Sequence, residues 1–292
     1  MAKAVIAGCT LDYELLGPPE APCLALTPGG RAAKDALRSL AEGLATRYRV
    51  LLWDRRNTGA SDIYFGDAAS EQELWADDLA ALLQQLQLAP CYLGGGSAGA
   101  RVSLLTALRQ PGVVKGLVLW QVTGGPFACQ VLGVNYHVPY IRAAQKGGMA
   151  EVAQTEFFAE RIAANPGNRD RLLALDPGAF IDTLRRWNTF FYYREDTPVI
   201  GASEESLRAI QAPILVFEGN DDIHPKQASD AVERLAPNVE PTPAVWSGEE
   251  FYDAYTGRVP GGIMQSLYPR MVNRIIEYLD RQESRQPAQA GA

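Results

Sequence analysis

Gly95-Gly96-Ser97-Ala98-Gly99 is the first stretch of this chain whose residue types and spacing could do chemistry. It fits G-x-S-x-G, with an apolar run at Cys91–Leu93 before it and a helix-period run to Leu108 after it. A strand-to-helix turn this tight strains the backbone of the serine and needs small neighbours two residues away on either side. The hydroxyl of Ser97 then stands at a helix N-terminus, where the dipole favours developing negative charge, and the N–H of Ala98 faces the same point. This is the layout of a serine nucleophile attacking a carbonyl. A phosphate loop is a poorer match, because the spacing fits neither GxGxxG nor GxxxxGK[ST].

A serine nucleophile needs a base, and the chain has only two histidines, His137 and His224. That scarcity argues against a multi-histidine metal site. The four cysteines, Cys9, Cys23, Cys91 and Cys129, have no CxxC spacing and read as free buried thiols. Neither a metal nor an organic cofactor is expected. The 292 residues carry 27 Lys+Arg against 34 Asp+Glu, a formal net charge of −7. With no cluster of basic residues, this balance argues against a nucleic-acid backbone or an anionic membrane as partner. No apolar run approaches the ~18 residues of a membrane span, and the apolar part of the N-terminus is too short for a signal peptide. The expectation is a cytoplasmic protein, monomer or homodimer, whose partner is a small molecule.

The elements that must position Ser97 follow from the hydrophobic pattern. Strands are expected at Ala4–Ala7, Leu11–Leu16, Cys23–Leu26, Val50–Trp53, Cys91–Leu93, Val113–Val122, Pro213–Phe217 and Ala244–Trp246. Helices are expected at Ala33–Arg47, Glu71–Leu88, from Ala98 to Leu108, from Pro225, and at Pro269–Asp280. Apolar runs alternating with helix-period stretches give an α/β sheet. The alternation stops at residues 123–211, which read as helical and rich in aromatics. This predicts a core of residues 1–122 and 212–282, an inserted helical cap at 123–211 and a disordered tail at 283–292.

With the elbow in this setting, the chain resembles the α/β-hydrolase superfamily over nearly its whole length. Leu26-Thr27-Pro28-Gly29-Gly30-Arg31 is similar to the family's HG-type oxyanion loop, with Pro28 in place of histidine. Asp54-Arg55-Arg56-Asn57-Thr58-Gly59-Ala60-Ser61-Asp62 is similar to its D-x-R-G-x-G-x-S-D turn, with Asn57 replacing the first glycine. The resemblance implies a mostly parallel eight-stranded sheet flanked by helices, with Ser97 as nucleophile and the N–H groups of Gly30 and Ala98 as the oxyanion hole. In Gly219-Asn220-Asp221-Asp222 it implies Asp222 as the acid, or Asp221 if the turn is one residue shorter. The family's histidine follows the last strand, and there this chain has Ser247-Gly248-Glu249. The candidate substitutes are His224, His137 and Glu249, the last requiring burial beside Asp222 to raise its pKa. Tyr136, His137, Tyr140 and Trp187 are candidate cap contacts to substrate. Arg31 and Arg101 are candidate anchors for an anionic group.

The resulting expectation is hydrolysis of an ester, amide or C–C bond in a small apolar or aromatic molecule by an atypical triad. Two alternatives stay open: a lyase, isomerase or cyclase using Ser97 as a hydrogen-bond donor, and a non-catalytic small-molecule binder.

Overall fold

The computed structural model describes residues 2–285. Eight strands form one sheet: β1 (Ala2–Ile6), β2 (Cys9–Leu16), β3 (Cys23–Thr27), β4 (Arg49–Trp53), β5 (Cys91–Gly96), β6 (Val114–Trp120), β7 (Ile214–Phe217) and β8 (Val239–Thr242). Their order is β1-β2-β4-β3-β5-β6-β7-β8. β1 and β2 pair as an antiparallel hairpin at one edge, and from β4 onward neighbouring strands run parallel. All residues of β3 and β5 are buried, as central parallel strands covered on both faces require.

Helices cover both faces of the sheet: α1 (Arg38–Leu44), α2 (Glu71–Gln85) and α3 (Ala98–Arg109) lie between the first six strands. Between β6 and β7 the chain makes five helices in succession: α4 (Gly125–Gln154), α5 (Glu156–Ala164), α6 (Gly167–Leu173), α7 (Pro177–Asn188) and α8 (Glu204–Ala209). α4 is broken at Gly147 and Gly148, whose backbone is not helical. This insertion has its own core around Val152, Phe158, Leu172, Phe180, Leu184 and Trp187. It is tied to the loops after β3 and β4: Arg161 donates to the Arg31 carbonyl, Asn168 accepts from Ile63 N–H, and Trp187 donates to the Ala68 carbonyl. The chain ends with α9 (Lys226–Leu235), α10 (Gly248–Tyr255), α11 (Gly262–Ser266) and α12 (Val272–Arg285). No helix among the described residues is long and apolar enough to cross a membrane.

Three expectations are corrected. The last strand is Val239–Thr242 rather than Ala244–Trp246. Glu240 and Pro241 mask it in the sequence, and proline is tolerated there because β8 lies at the sheet edge. Trp246 instead packs against Tyr268 in the core. The helix expected at Ala33–Arg47 begins as a 3-10 turn at Lys34–Leu37 and is α-helical only over Arg38–Leu44. The final helix continues through Glu283 to Arg285, because Glu283 accepts from the Tyr92 hydroxyl at 2.6 Å and pairs with Lys115 at 2.6 Å. The remainder of the expected tail, 286–292, lies outside the described residues.

Candidate active site

Ser97 sits between β5 and α3 with φ 55° and ψ −113°, a strained backbone for a residue with a side chain. The strain is held from several sides. The Ser97 N–H donates to the carbonyls of Trp120 and Gln121. A Cβ on Gly95 would come within 2.3 Å of Gly99 C, and one on Gly99 within 1.9 Å of the Thr27 carbonyl oxygen. Only glycine fits at either position, which is the physical content of the motif. The Ser97 Oγ makes no hydrogen bond with any described residue.

The loop after β3 lies directly against this turn. A Cβ on Gly29 would stand 3.4 Å from Ser97 Cβ and 3.3 Å from the Gly96 carbonyl oxygen. Gly30, at φ 49°, turns the chain beside it. Ala98 opens α3, where the first N–H groups have no partner within the helix. Both proposed oxyanion donors therefore belong to segments that touch the elbow. The turn after β4 secures this loop: Asp54 accepts from Lys34 N at 2.6 Å, and Asn57 adopts φ 64°, which asparagine tolerates.

The acid side departs from expectation. Asp222 is exposed, whereas Asp221 is partly buried and turned inward. Asp221 Oδ1 accepts from the N–H groups of Ile223 and His224, both at 2.9 Å, and its Oδ2 lies 2.8 Å from His224 Nδ1. Burial raises the Asp221 pKa, but the bonds and charge of His224 and the Ile223 N–H outweigh it, so the carboxyl is held below its usual range. The His224 ring is buried and meets Phe251 edge-on, and its Nε2 has no partner. A ring that donates from Nδ1 to a carboxylate leaves Nε2 as an acceptor, the tautomer a general base needs. The loop is one residue shorter than the G-x-x-D reading requires, which gives the inward position to Asp221. It is braced by Asn220, which donates to the Trp246 carbonyl.

Glu249 lies exposed in the first turn of α10 and is not buried beside Asp222, so the condition for a carboxylate base is unmet. His137 is buried in α4, with Nδ1 3.1 Å from Asn188 Oδ1 and its ring against Tyr136 and Phe191. Burial, and to a lesser degree Arg31, push its pKa down to about 3, so it is neutral and closed to solvent. Trp187 is fully buried and stacks on Phe65. Tyr136 and Tyr140 both face the Arg31 guanidinium, at 4.9 and 5.6 Å from their ring centroids.

The aromatics of residues 123–211 predict a largely apolar pocket above Ser97. One cavity of about 490 Å³ is lined by Phe127, Asn220, Asp221, Asp222, Pro225, Lys226 and Gln227. A second, of about 320 Å³, is lined by Arg31, Ala32, Glu156, Phe157, Glu160 and Arg161. Neither is lined by Ser97.

A family model described as the alpha/beta hydrolase fold matches residues 22–171, and the chain belongs to that family. Among curated proteins, it is 38% identical over 116 residues to the sn-1-specific diacylglycerol lipase ABHD11 of Mus musculus, covering 39% of this chain and 37% of that protein. The chain spans 37% to 42% of the length of the curated relatives it matches. Among solved structures it is similar to the enol-lactonase from Burkholderia xenovorans LB400, with a TM-score of 0.62 and 16% identity over 96% of this chain and 100% of that one. It is also similar to a thermophilic esterase from Thermogutta terrifontis, with a TM-score of 0.61 and 21% identity over 96% and 98% of the two chains. At these identities the structural likeness is one of fold.

Proposed function

We propose that this protein hydrolyses an ester or a similar acyl bond in a small organic molecule, with Ser97 as nucleophile and His224, oriented by Asp221, as base. The observation that carries this reading is the Asp221–His224 pair: a buried imidazole bonded through Nδ1 to a carboxylate, with Nε2 unpartnered. Histidine is missing from the loop after the last strand, and the pair supplies the same two groups from the loop after β7. In the reaction, Ser97 Oγ attacks the carbonyl carbon and its proton passes to His224 Nε2. The N–H groups of Gly30 and Ala98 hold the oxyanion, and the leaving group takes the proton from His224. Water then repeats the sequence on the acyl-serine. Hydrogen bonds of this kind are often formed only when substrate is bound, in keeping with the unbonded Ser97 Oγ.

That same free hydroxyl favours a second reading, a lyase or isomerase in which Ser97 only donates to the substrate while His224 moves a proton. A fluorophosphonate reagent and mass spectrometry separate the two. Rapid labelling of Ser97 that is lost in His224→Ala supports acyl transfer. Turnover of a small-molecule panel with no covalent adduct at Ser97 selects the second reading. Labelling that survives His224→Ala refutes the role given to His224.

A further inference from the structure

Three arginine side chains converge between the loop after β3, the turn after β4, α3 and α4. Arg55 and Arg101 are 0% exposed and the Arg31 side chain is 9% exposed. Glu71 lies 2.5 Å from Arg31, and the buried Asp54 carboxylate, held with Asp12 by Lys34, acts on Arg55 from beyond ion-pair distance. Arg55 donates to the carbonyls of Gly30 and Ala32 and lies over the Trp75 ring. Arg101 donates to Gln72 Oε1, Thr123 Oγ1 and the Tyr136 hydroxyl, all neutral. Neither has a carboxylate within ion-pair distance among the described residues. The Tyr136 ring serves two of these cations, with the Arg31 guanidinium 4.9 Å and the Arg101 guanidinium 5.9 Å from its centroid. Nearby Arg161 adds another positive charge, and its partner Glu160 faces solvent.

Charge and hydrogen bonding are incomplete at the same place. Arginine stays protonated in proteins, so Arg31, Arg55, Arg101 and Lys34 set four buried positive charges against the three carboxylates of Glu71, Asp54 and Asp12. Burying a cation without a counter-anion is costly, and stacking on aromatic rings offsets part of that cost. Arg31 Nε, Arg55 Nε and Gln72 Nε2 are also buried donors with no acceptor. Orphaned donors of this kind are rare, and three on neighbouring side chains beside an excess of positive charge suit an anionic acceptor. A carboxylate fits, with two oxygens and about four acceptor positions. The cluster adjoins the elbow through Arg55, which donates to the carbonyl of Gly30, and through α3, which carries Arg101 one turn after Ser97.

We infer that the substrate is a carboxylate, whose anionic group is held by Arg31, Arg55, Arg101 and Gln72 while its acyl bond lies at Ser97. This rests on the hydrolase reading for the second half of the statement only. The test pairs p-nitrophenyl hydrogen glutarate, which keeps a free carboxylate, with neutral p-nitrophenyl pentanoate. The acidic ester should show at least a tenfold higher kcat/KM, expressed mainly in KM. Arg101→Met should collapse that ratio toward one. Gln72→Leu, which removes a neutral donor, should lower it about threefold and serves if Arg101→Met does not fold. Glu71→Gln removes the competing carboxylate and should raise the ratio.

Binding is read separately, as the rise in Tm with pentanoate against pentanamide at constant ionic strength. A rise with pentanoate alone, lost in Arg101→Met, supports the carboxylate site even if neither ester is cleaved, an outcome that would count against the hydrolase reading. Equal cleavage of the two esters with no selective Tm rise overturns the inference and leaves the hydrolase reading standing. An equal rise with chloride or phosphate also overturns it, in favour of an inorganic anion.

Discussion

The two sides of the candidate site are built by different physics. On the elbow side, β3, β5 and α3 approach so closely that Gly95 and Gly99 admit no Cβ, and the conformation of Ser97 follows from backbone contact. On the acid side, the loops after β7 and β8 are held by side chains: Asp221 to His224, Asn220 to Trp246, and Ser247 to Glu250 at the start of α10. Backbone geometry leaves the nucleophile one place to be. Side-chain contacts between loops leave more freedom in which residue of the loop turns inward. On the proposed reading, this difference lets the elbow keep its motif while the base comes from the loop after β7.

The sharpest way to break the comparison is at the two aspartates. Asp221→Asn removes the carboxylate that orients His224 and should lower kcat by about 100-fold or more, on the pattern of other triads. Asp222→Asn, at an exposed position, should change kcat less than about threefold. Equal losses in the two variants would return the acid role to the sequence expectation. On the elbow side the effect should be on folding. Gly99→Ala would force a Cβ to 1.9 Å from the Thr27 carbonyl oxygen. The loss should be on the order of 3 kcal/mol or more, as expected for overpacking beside strained backbone, read as a fall in urea midpoint. An alanine tolerated there without loss would mean the elbow is looser than described.

His137 gives a smaller and pH-dependent effect. Its pKa is about 3 in the folded chain against 6.5 for the free group, so below pH 6.5 the unfolded chain binds the extra proton. Stability should therefore fall as pH drops from 6.5 toward 3, by about 1.4 kcal/mol per unit from this residue. His137→Gln should flatten that slope, measured by urea unfolding at pH 6.5 and 5. The smallest effect is expected at Glu249. Glu249→Gln should leave activity within about twofold and Tm nearly unchanged, because the side chain is exposed in the first turn of α10.

Much of the fold was legible because its signals are local. Apolar runs such as Leu24–Leu26 and Leu51–Trp53 alternate with helix-period runs, and the elbow glycines mark a turn that only one geometry satisfies. The last strand was not legible, since Val239–Thr242 is short, carries Glu240 and Pro241, and owes its place to pairing with β7. The Asp221–His224 pair had a signal in the sequence, an aspartate and a histidine three residues apart ahead of Pro225. Which aspartate turns inward depends on how tightly the loop closes, and residue spacing does not encode that.

The sequence by itself determined the α/β alternation, and it marked the glycine spacing around Ser97 and the helical run that follows β6. Each depends on contacts between residues near one another in the chain or on a periodicity that repeats along it. Only the tertiary structure decided that His224 faces Asp221, that His137 and Trp187 are buried, and that the Arg31 and Arg101 guanidiniums both lie over the Tyr136 ring. Those outcomes join segments tens of residues apart, and burial and charge balance exist only once the segments have met.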